Sequence, residues 1–132
     1  MRERVAIALL ALAACTAGPY EPCPVVVDGS LPPDAFGRCS AVIQGAFGPL
    51  AVADAERFLL QSEWAPVAEP VGERRASVFR AAASGGDLAV VVELRRLATP
   101  WFGLPEWSVA RGDPAAERDL AAALQAALQP PR

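Results

Sequence analysis

The chain has 132 residues, of which 53% are apolar and 20% are charged, and its formal net charge is −3. This length accommodates one domain of ordinary size, and the apolar fraction excludes a disordered chain. The sequence contains no His and no Lys. Catalysis through a histidine base, a Schiff-base lysine or a P-loop lysine is therefore excluded.

The N-terminus is typical of an exported protein. Arg2 and Arg4 precede an uninterrupted apolar run over residues 5–14, which is too short to span a bilayer. Within and after this run, Leu12-Ala13-Ala14-Cys15 resembles the lipobox of bacterial lipoproteins. The resemblance implies that the chain is cut before Cys15 and that this cysteine carries the lipid. It also implies sorting to the outer membrane, and we expect the protein to face the periplasm.

The alternative at the N-terminus is an ordinary signal peptide, which would leave a soluble periplasmic or secreted protein. Removal of residues 1–14 leaves ten Arg and fourteen acidic residues, a net charge of −4. An acidic domain gains nothing from anionic lipid, so the lipid alone would hold the protein at the membrane. The predicted organisation is a signal peptide (1–14), a lipidated cysteine with a Pro-rich tether (15–24) and a single domain (25–132).

The chain has three cysteines, an odd number for an exported protein. If Cys15 is lipidated, Cys23 and Cys39 remain as a pair, which in an oxidising compartment predicts a disulfide. Such a bridge closes a loop of about 15 residues and contributes roughly 3 kcal/mol in the chain-entropy model. Two free buried thiols are the alternative.

Turn residues and apolar periodicity divide the first part of the domain into elements. The three valines at 25–27 predict a short strand, and the prolines and glycine within 31–37 predict a loop. Residues 39–47 alternate imperfectly, with Cys39 and Ile43 among the side chains on one face. This alternation predicts a second strand.

Residues 50–64 fit two patterns. As a helix, they form a stripe of Ala51, Ala55, Phe58, Leu59 and Ser62. As a strand, they alternate Phe58, Leu60 and Trp64 against polar neighbours. A length of fifteen residues and the content of Ala, Glu, Leu and Gln favour the helix.

The second half has the clearest elements. Residues 75–83 and 88–97 flank the turn signal Ser84-Gly85-Gly86-Asp87 and predict a β-hairpin. An irregular aromatic stretch follows over 99–111. Asp113-Pro114 then predicts the start of a helix whose apolar stripe is Leu120, Leu124 and Leu128.

Together these elements predict a small α+β domain, an antiparallel sheet with one or two packed helices including the C-terminal helix. Residues 25–45 and 71–95 also resemble the carboxypeptidase-regulatory-like sandwiches of secreted bacterial proteins, which run strand, proline loop, strand and later hairpin. This resemblance makes a β-sandwich with an appended C-terminal helix the alternative. The helix predicted over 50–62 departs from it, and it implies no functional residue.

The aromatic stretch is the best candidate for a functional site. Trp101, Phe102, Leu104 and Trp107 fall within seven residues, broken by glycine and proline. They predict either a loop that caps the core beneath the C-terminal helix or an exposed patch for a partner or apolar ligand.

Four arginines, Arg74, Arg75, Arg95 and Arg96, lie on facing arms of the predicted hairpin. Nearby glutamates, Glu69, Glu73 and Glu93, predict a neutralised and solvated charged edge of the sheet rather than an anion site.

No pair of carboxylates has a spacing that fixes both beside an apolar pocket, so we predict no catalytic residue, no metal site and no cofactor. The predicted function is that of a lipid-anchored envelope protein of non-catalytic, interaction or assembly type. Its partners would be the membrane, through the lipid, and another envelope protein, but not nucleic acid. A periplasmic binding module for a small apolar or carbohydrate ligand is the alternative.

Overall fold

The computed structural model describes residues 21–67, 72–81, 88–98 and 103–129. The predicted signal peptide and Cys15 lie outside these residues, as do Trp101 and Phe102. Within the described ranges the chain forms two helices, α1 (Ala35–Phe47) and α2 (Pro114–Leu128). It also forms eight strands: β1 (Cys23–Val25), β2 (Leu50–Asp54), β3 (Leu59–Ser62), β4 (Ala65–Val67), β5 (Gly72–Arg80), β6 (Leu88–Ala98), β7 (Glu106–Trp107) and β8 (Arg111–Gly112).

The sheet is antiparallel and is built around the β5–β6 pair. Its strand order is β1-β6-β5-β3-β2, and β4 adds to β5 beside β3. The outer edge of β6 pairs in succession with the short strands β1, β8 and β7. The predicted α+β class with a C-terminal helix is therefore confirmed.

Both helices pack on one face of the sheet, where they enclose the core. In β5 and β6, even-numbered residues such as Val78 and Val90 lie on this face, because side chains alternate along a strand. Both layers contribute fully buried side chains, among them Val25, Cys39, Ile43, Leu60, Val78, Leu88, Val90, Val92, Leu124 and Leu128. Arg38 joins the two helices, since its Nη1 donates to the carbonyl oxygen of Ala127 at 3.1 Å.

The predicted hairpin and the predicted C-terminal helix are confirmed. Strands β5 and β6 pair from Gly72 with Arg96 to Arg80 with Leu88. The turn that joins them lies outside the described residues. The α2 helix begins as expected, because the Asp113 side chain accepts a hydrogen bond from the amide of Ala116 at 3.2 Å.

The strand predicted over 39–47 is wrong, because these residues belong to α1. Ala35, Cys39, Ile43 and Phe47 recur at every fourth position and are all buried, which is the period of a helix face. The predicted loop 31–37 accordingly ends at Asp34, because α1 begins at Ala35. Gly48 donates its amide to the carbonyl oxygen of Gln44 at 3.0 Å, and its φ of 88° then turns the backbone out of the helical conformation.

The helix predicted over 50–64 is also wrong, because this segment forms the hairpin of β2 and β3. The Asp54 side chain accepts a hydrogen bond from the amide of Arg57 at 3.2 Å, which stabilises a tight turn. Phe58 then adopts a left-handed φ of 50° and is 4% exposed. Burial of Phe58, Leu60 and Ser62 at alternate positions outweighs the helix propensity of the segment.

The strand predicted over 25–27 is displaced, since β1 is Cys23–Val25 and leaves out Val26 and Val27. Cys23 and Pro24 therefore belong to the sheet rather than to the tether.

Two buried polar side chains, Ser62 and Glu117, accept hydrogen bonds from the backbone of the central strands β5 and β6. On one side, the amide of Ala76 donates to Oγ of Ser62 at 3.0 Å. On the other side, the amide of Val92 donates to Oε2 of Glu117 at 2.9 Å. Side chains thus satisfy two backbone amides that no strand reaches at these positions.

Candidate functional site

The face of the sheet opposite the helices carries two ion pairs between β5 and β6. Glu73 lies opposite Arg95, and Arg75 lies opposite Glu93; in each pair an arginine Nη2 is 2.9 Å from a glutamate Oε1. All four side chains are about three-quarters buried. The predicted neutralisation of arginines by neighbouring glutamates is thus confirmed for Arg75 and Arg95, but these pairs are mostly buried and do not form the solvated edge that the sequence predicts.

Two tryptophans cover these ion pairs. The guanidinium carbon of Arg95 lies 4.0 Å from the centre of the Trp64 ring and 4.5 Å from the centre of the Trp107 ring. Arg75 also contacts Trp64, at 4.5 Å. Arg95 therefore contacts two aromatic rings, and because its side chain is about three-quarters buried, cation–π attraction is stronger here than at an exposed site.

The segment of residues 103–112, which we call the edge segment, is held against the outer edge of β6. Leu97 pairs with Trp107 in β7, and Leu94 pairs with Arg111 in β8. Between β7 and β8, Ser108 forms two hydrogen bonds with the backbone of Arg96. The Ser108 amide donates to the Arg96 carbonyl oxygen at 2.8 Å, and the Ser108 Oγ accepts from the Arg96 amide at 2.9 Å.

The edge segment exposes large apolar side chains although its backbone is hydrogen-bonded. Leu104 is 84% exposed and Val109 is 85% exposed. Trp107 is 41% exposed even with one side against Arg95, and its strand partner Leu97 is 37% exposed. The first alternative from the sequence, a loop that caps the core beneath the C-terminal helix, is therefore wrong for Leu104 and Trp107.

A groove of about 320 Å³ lies beside the edge segment and is lined by Leu94, Arg96, Ser108, Val109 and Arg111. Arg96 and Arg111 are both exposed, and neither belongs to an ion pair among the described residues. The groove therefore combines apolar walls with two positive charges that no carboxylate of the described chain neutralises. Such a surface favours an anionic group.

The predicted Cys23–Cys39 bridge is not formed, since both cysteines are free thiols in the structure. Cys39 is fully buried on the core-facing side of α1, in the segment that the sequence predicts as a strand. Cys23 is half-buried in β1 and packs against the same core. Burial raises the pKa of the Cys39 thiol to about 11. The thiol is therefore protonated and weakly nucleophilic at neutral pH.

Of the residues predicted for the patch, the structure places Leu104 and Trp107 on one exposed edge, while Trp101 and Phe102 lie outside the described residues. The sequence reasoning missed Val109 and Trp64. The signal for Val109 was its apolar side chain in a stretch that has no periodicity. The contact between Trp64 and Arg95 could not be predicted from the sequence, because it depends on how β4, β5 and β6 pair.

Across the described part of the chain, no three Cys, Asp or Glu side chains form a group that could hold a metal ion. No described helix is both long enough and apolar enough to cross a membrane. Comparison of the chain with protein families, curated proteins and solved structures gave no significant match.

Proposed function

We propose that this chain is a lipid-anchored protein of the cell envelope with a non-catalytic, interaction or assembly role. Cys15 would carry the lipid at the outer membrane, and the domain would face the periplasm. The observation that supports the interaction role is the edge segment, where Leu104 and Val109 are almost fully exposed. Exposed apolar side chains that are concentrated within one short segment are typical of a docking site.

The order of the edge segment strengthens this argument. Its backbone is bonded to β6 on both sides of Ser108, so Trp107 and Val109 are presented from a fixed position. Binding to such a surface costs less conformational entropy than binding to a loop that must first become ordered. Trp107 also has the size and the polar N–H that interface hot spots commonly use.

The charges beside the edge segment indicate the chemistry of the partner. Arg96 and Arg111 line the groove next to Val109. A protein surface that carries an apolar side chain beside a carboxylate would match both features. A neutral sugar would leave these two charges unmatched, so the groove favours the interaction role over the carbohydrate-binding alternative.

Site-specific photo-cross-linking in the native envelope tests the docking surface. Benzoylphenylalanine at Leu104 or Val109 is expected to give a discrete cross-linked product. The same probe at Val26, which is 53% exposed but outside the edge segment, is the matched control. The product should disappear when Arg96 and Arg111 are both changed to Glu. Identical products from all three probe positions would contradict the proposal.

The anchor is tested separately by labelling cells with an alkyne analogue of palmitate. The full chain is expected to take up label and to fractionate with the outer membrane, whereas the Cys15→Ser variant should do neither. Cys23→Ser is the control, because it also removes one thiol but should keep the label. Labelled Cys15→Ser protein, or processing that is insensitive to globomycin, would show that Cys15 carries no lipid. The chain would then be a soluble periplasmic or secreted protein.

A further inference from the structure

A cavity of about 260 Å³ lies between the two helices and β5, and it shares no lining residue with the groove beside the edge segment. Its apolar walls come from both helices: Val42, Ala46, Phe47, Ala116, Leu120 and Ala123. Ala46 and Ala123 are exposed, so the cavity opens to solvent between α1 and α2. For comparison, a dry engineered cavity of about 150 Å³ is large enough to bind benzene.

Arg74 of β5 supplies a positive charge to this cavity. Its residue number is even, so it lies on the helix-facing side of the sheet, where its guanidinium carbon is 5.2 Å from the centre of the Phe47 ring. The side chain is half-buried. No carboxylate of the described residues lies within ion-pairing distance of it. Arg74 therefore differs from its neighbour Arg75, which is paired with Glu93.

A charged group at an apolar cavity is costly unless an opposite charge meets it. The fork of a guanidinium matches a carboxylate with two parallel hydrogen bonds. Asp119 of α2 also lines the cavity, but it is exposed and is not paired with Arg74. Its negative charge disfavours a dianion such as phosphate and leaves a monoanion as the better match.

We propose that this cavity binds a small monocarboxylate with an apolar body, whose carboxylate pairs with Arg74 and whose aryl or alkyl part fills the space between α1 and α2. None of the residues that line this cavity belongs to the edge segment or to the groove beside it, so the two sites can be altered separately. A ligand of this kind would place its apolar body against Phe47 and Leu120.

Phenylacetate is a suitable probe, and 2-phenylethanol is its uncharged match of nearly the same shape. Binding to the full chain is measured by calorimetry and by chemical-shift changes in the methyl groups of Val42 and Leu120. Phenylacetate should bind at least about tenfold more tightly than 2-phenylethanol, the factor expected for one charge-assisted hydrogen-bonded pair. The Arg74→Gln variant should lose this preference and bind both compounds equally weakly.

Two matched controls separate the site from general effects. Arg80 lies on the same strand and face and stacks on Phe58 at 5.6 Å, but it does not line the cavity, so Arg80→Gln should bind like the original chain. Ala123→Leu fills the cavity from an exposed helical position and should weaken both compounds. Ala126→Leu, at another exposed position of α2, should weaken neither.

Three results would overturn the proposal: no binding of phenylacetate, equal binding of the two compounds by the original chain, or a preference that survives in Arg74→Gln. If Arg74→Gln fails to fold, Ala123→Leu and Ala126→Leu still locate the site. Loss of binding in both of these variants, or in neither, would then reject the cavity.

Discussion

Replacing Glu117 tests whether a buried carboxylate closes the edge of the sheet. Strand β1 pairs with β6 as far as Val90, and β8 pairs with it from Glu93, so the amide of Val92 has no strand partner on that edge. Instead it donates to Glu117 at 2.9 Å, and its carbonyl accepts from the amide of Asp113 at 2.8 Å. Glu117 is 2% exposed.

The structure sets the size of the effect. Glu117→Ala leaves the buried amide of Val92 without an acceptor, which costs about 1–3 kcal/mol of unfolding free energy. Glu117→Gln keeps an oxygen in place to accept the same bond and removes a desolvated charge. We therefore expect Glu117→Gln to lose less stability at neutral pH than Glu117→Ala, with both measured by urea unfolding followed by circular dichroism.

The pH dependence gives a sharper test. Burial raises the pKa of Glu117 above its ordinary value of 4.5, although the hydrogen bond from Val92 acts in the opposite direction. An acid with a raised pKa holds its proton longer in the folded state than in the unfolded state. The stability that it contributes is therefore complete below pH 4.5 and is lost as the pH rises through the folded pKa.

The assay compares the original chain with Glu117→Gln between pH 4 and pH 8. The original chain should lose stability relative to the variant as the pH rises. Glu106→Gln is the matched control, since it makes the same substitution at an exposed position of the chain. A gain in stability of the original chain over Glu117→Gln with rising pH would refute the reasoning, because it would mean that the hydrogen bond outweighs burial.

Three further outcomes follow from burial and contacts. Leu124→Ala should cost about 2–5 kcal/mol in urea unfolding because Leu124 is fully buried, whereas Leu104→Ala should change stability by less than about 0.5 kcal/mol; similar losses for both would contradict the exposed position of Leu104. Cys39 should resist iodoacetamide in the folded protein at pH 8 and react fully in urea, as measured by mass spectrometry; rapid labelling of the folded protein would show that its thiol is accessible. Arg95→Met should lower the melting temperature, and it should remove the salt dependence of stability that the ion pair with Glu73 contributes. An unchanged melting temperature would argue against the position of Arg95 between two tryptophans.

The parts of the fold that the sequence predicted are those specified by local chemistry. The α2 helix has its cap, its proline and its leucine stripe within sixteen residues, from Asp113 to Leu128. The β5–β6 hairpin has a glycine-rich turn signal, Ser84-Gly85-Gly86-Asp87, between two runs of strand-forming residues. Neither element depends on distant contacts, so a local pattern suffices for both.

The first helix was missed because its signals conflict. Gly37 and Gly45 weaken a helical prediction, and the preceding prolines favour a loop. The four-residue spacing from Ala35 to Phe47 was present, but alternation over part of the same segment competed with it. In β2 and β3, packing of Leu60 and Ser62 against the core overrides helix propensity, and such packing is not visible in a local window.

The register of β5 and β6 divides the four hairpin arginines between two different environments. Because side chains alternate, Arg75 and Arg95 lie on the face with Glu73 and Glu93, and both are paired there. Arg74 and Arg96 lie on the opposite face, where the described strands offer no glutamate beside them, and each lines a different cavity.

The alternation of side chains along β5 and β6 therefore explains why glutamates of the described strands neutralise Arg75 and Arg95 but not Arg74 and Arg96. Arg74 and Arg96 could have been distinguished from the sequence once the register of β5 and β6 was assumed, since parity alone separates them from the glutamates. What the sequence lacked was the position of the helices. Only their packing on the even face turns Arg74 from an exposed side chain into the charged wall of a cavity. Charge on a strand therefore predicts a binding site only when its face and the layer above that face are both known.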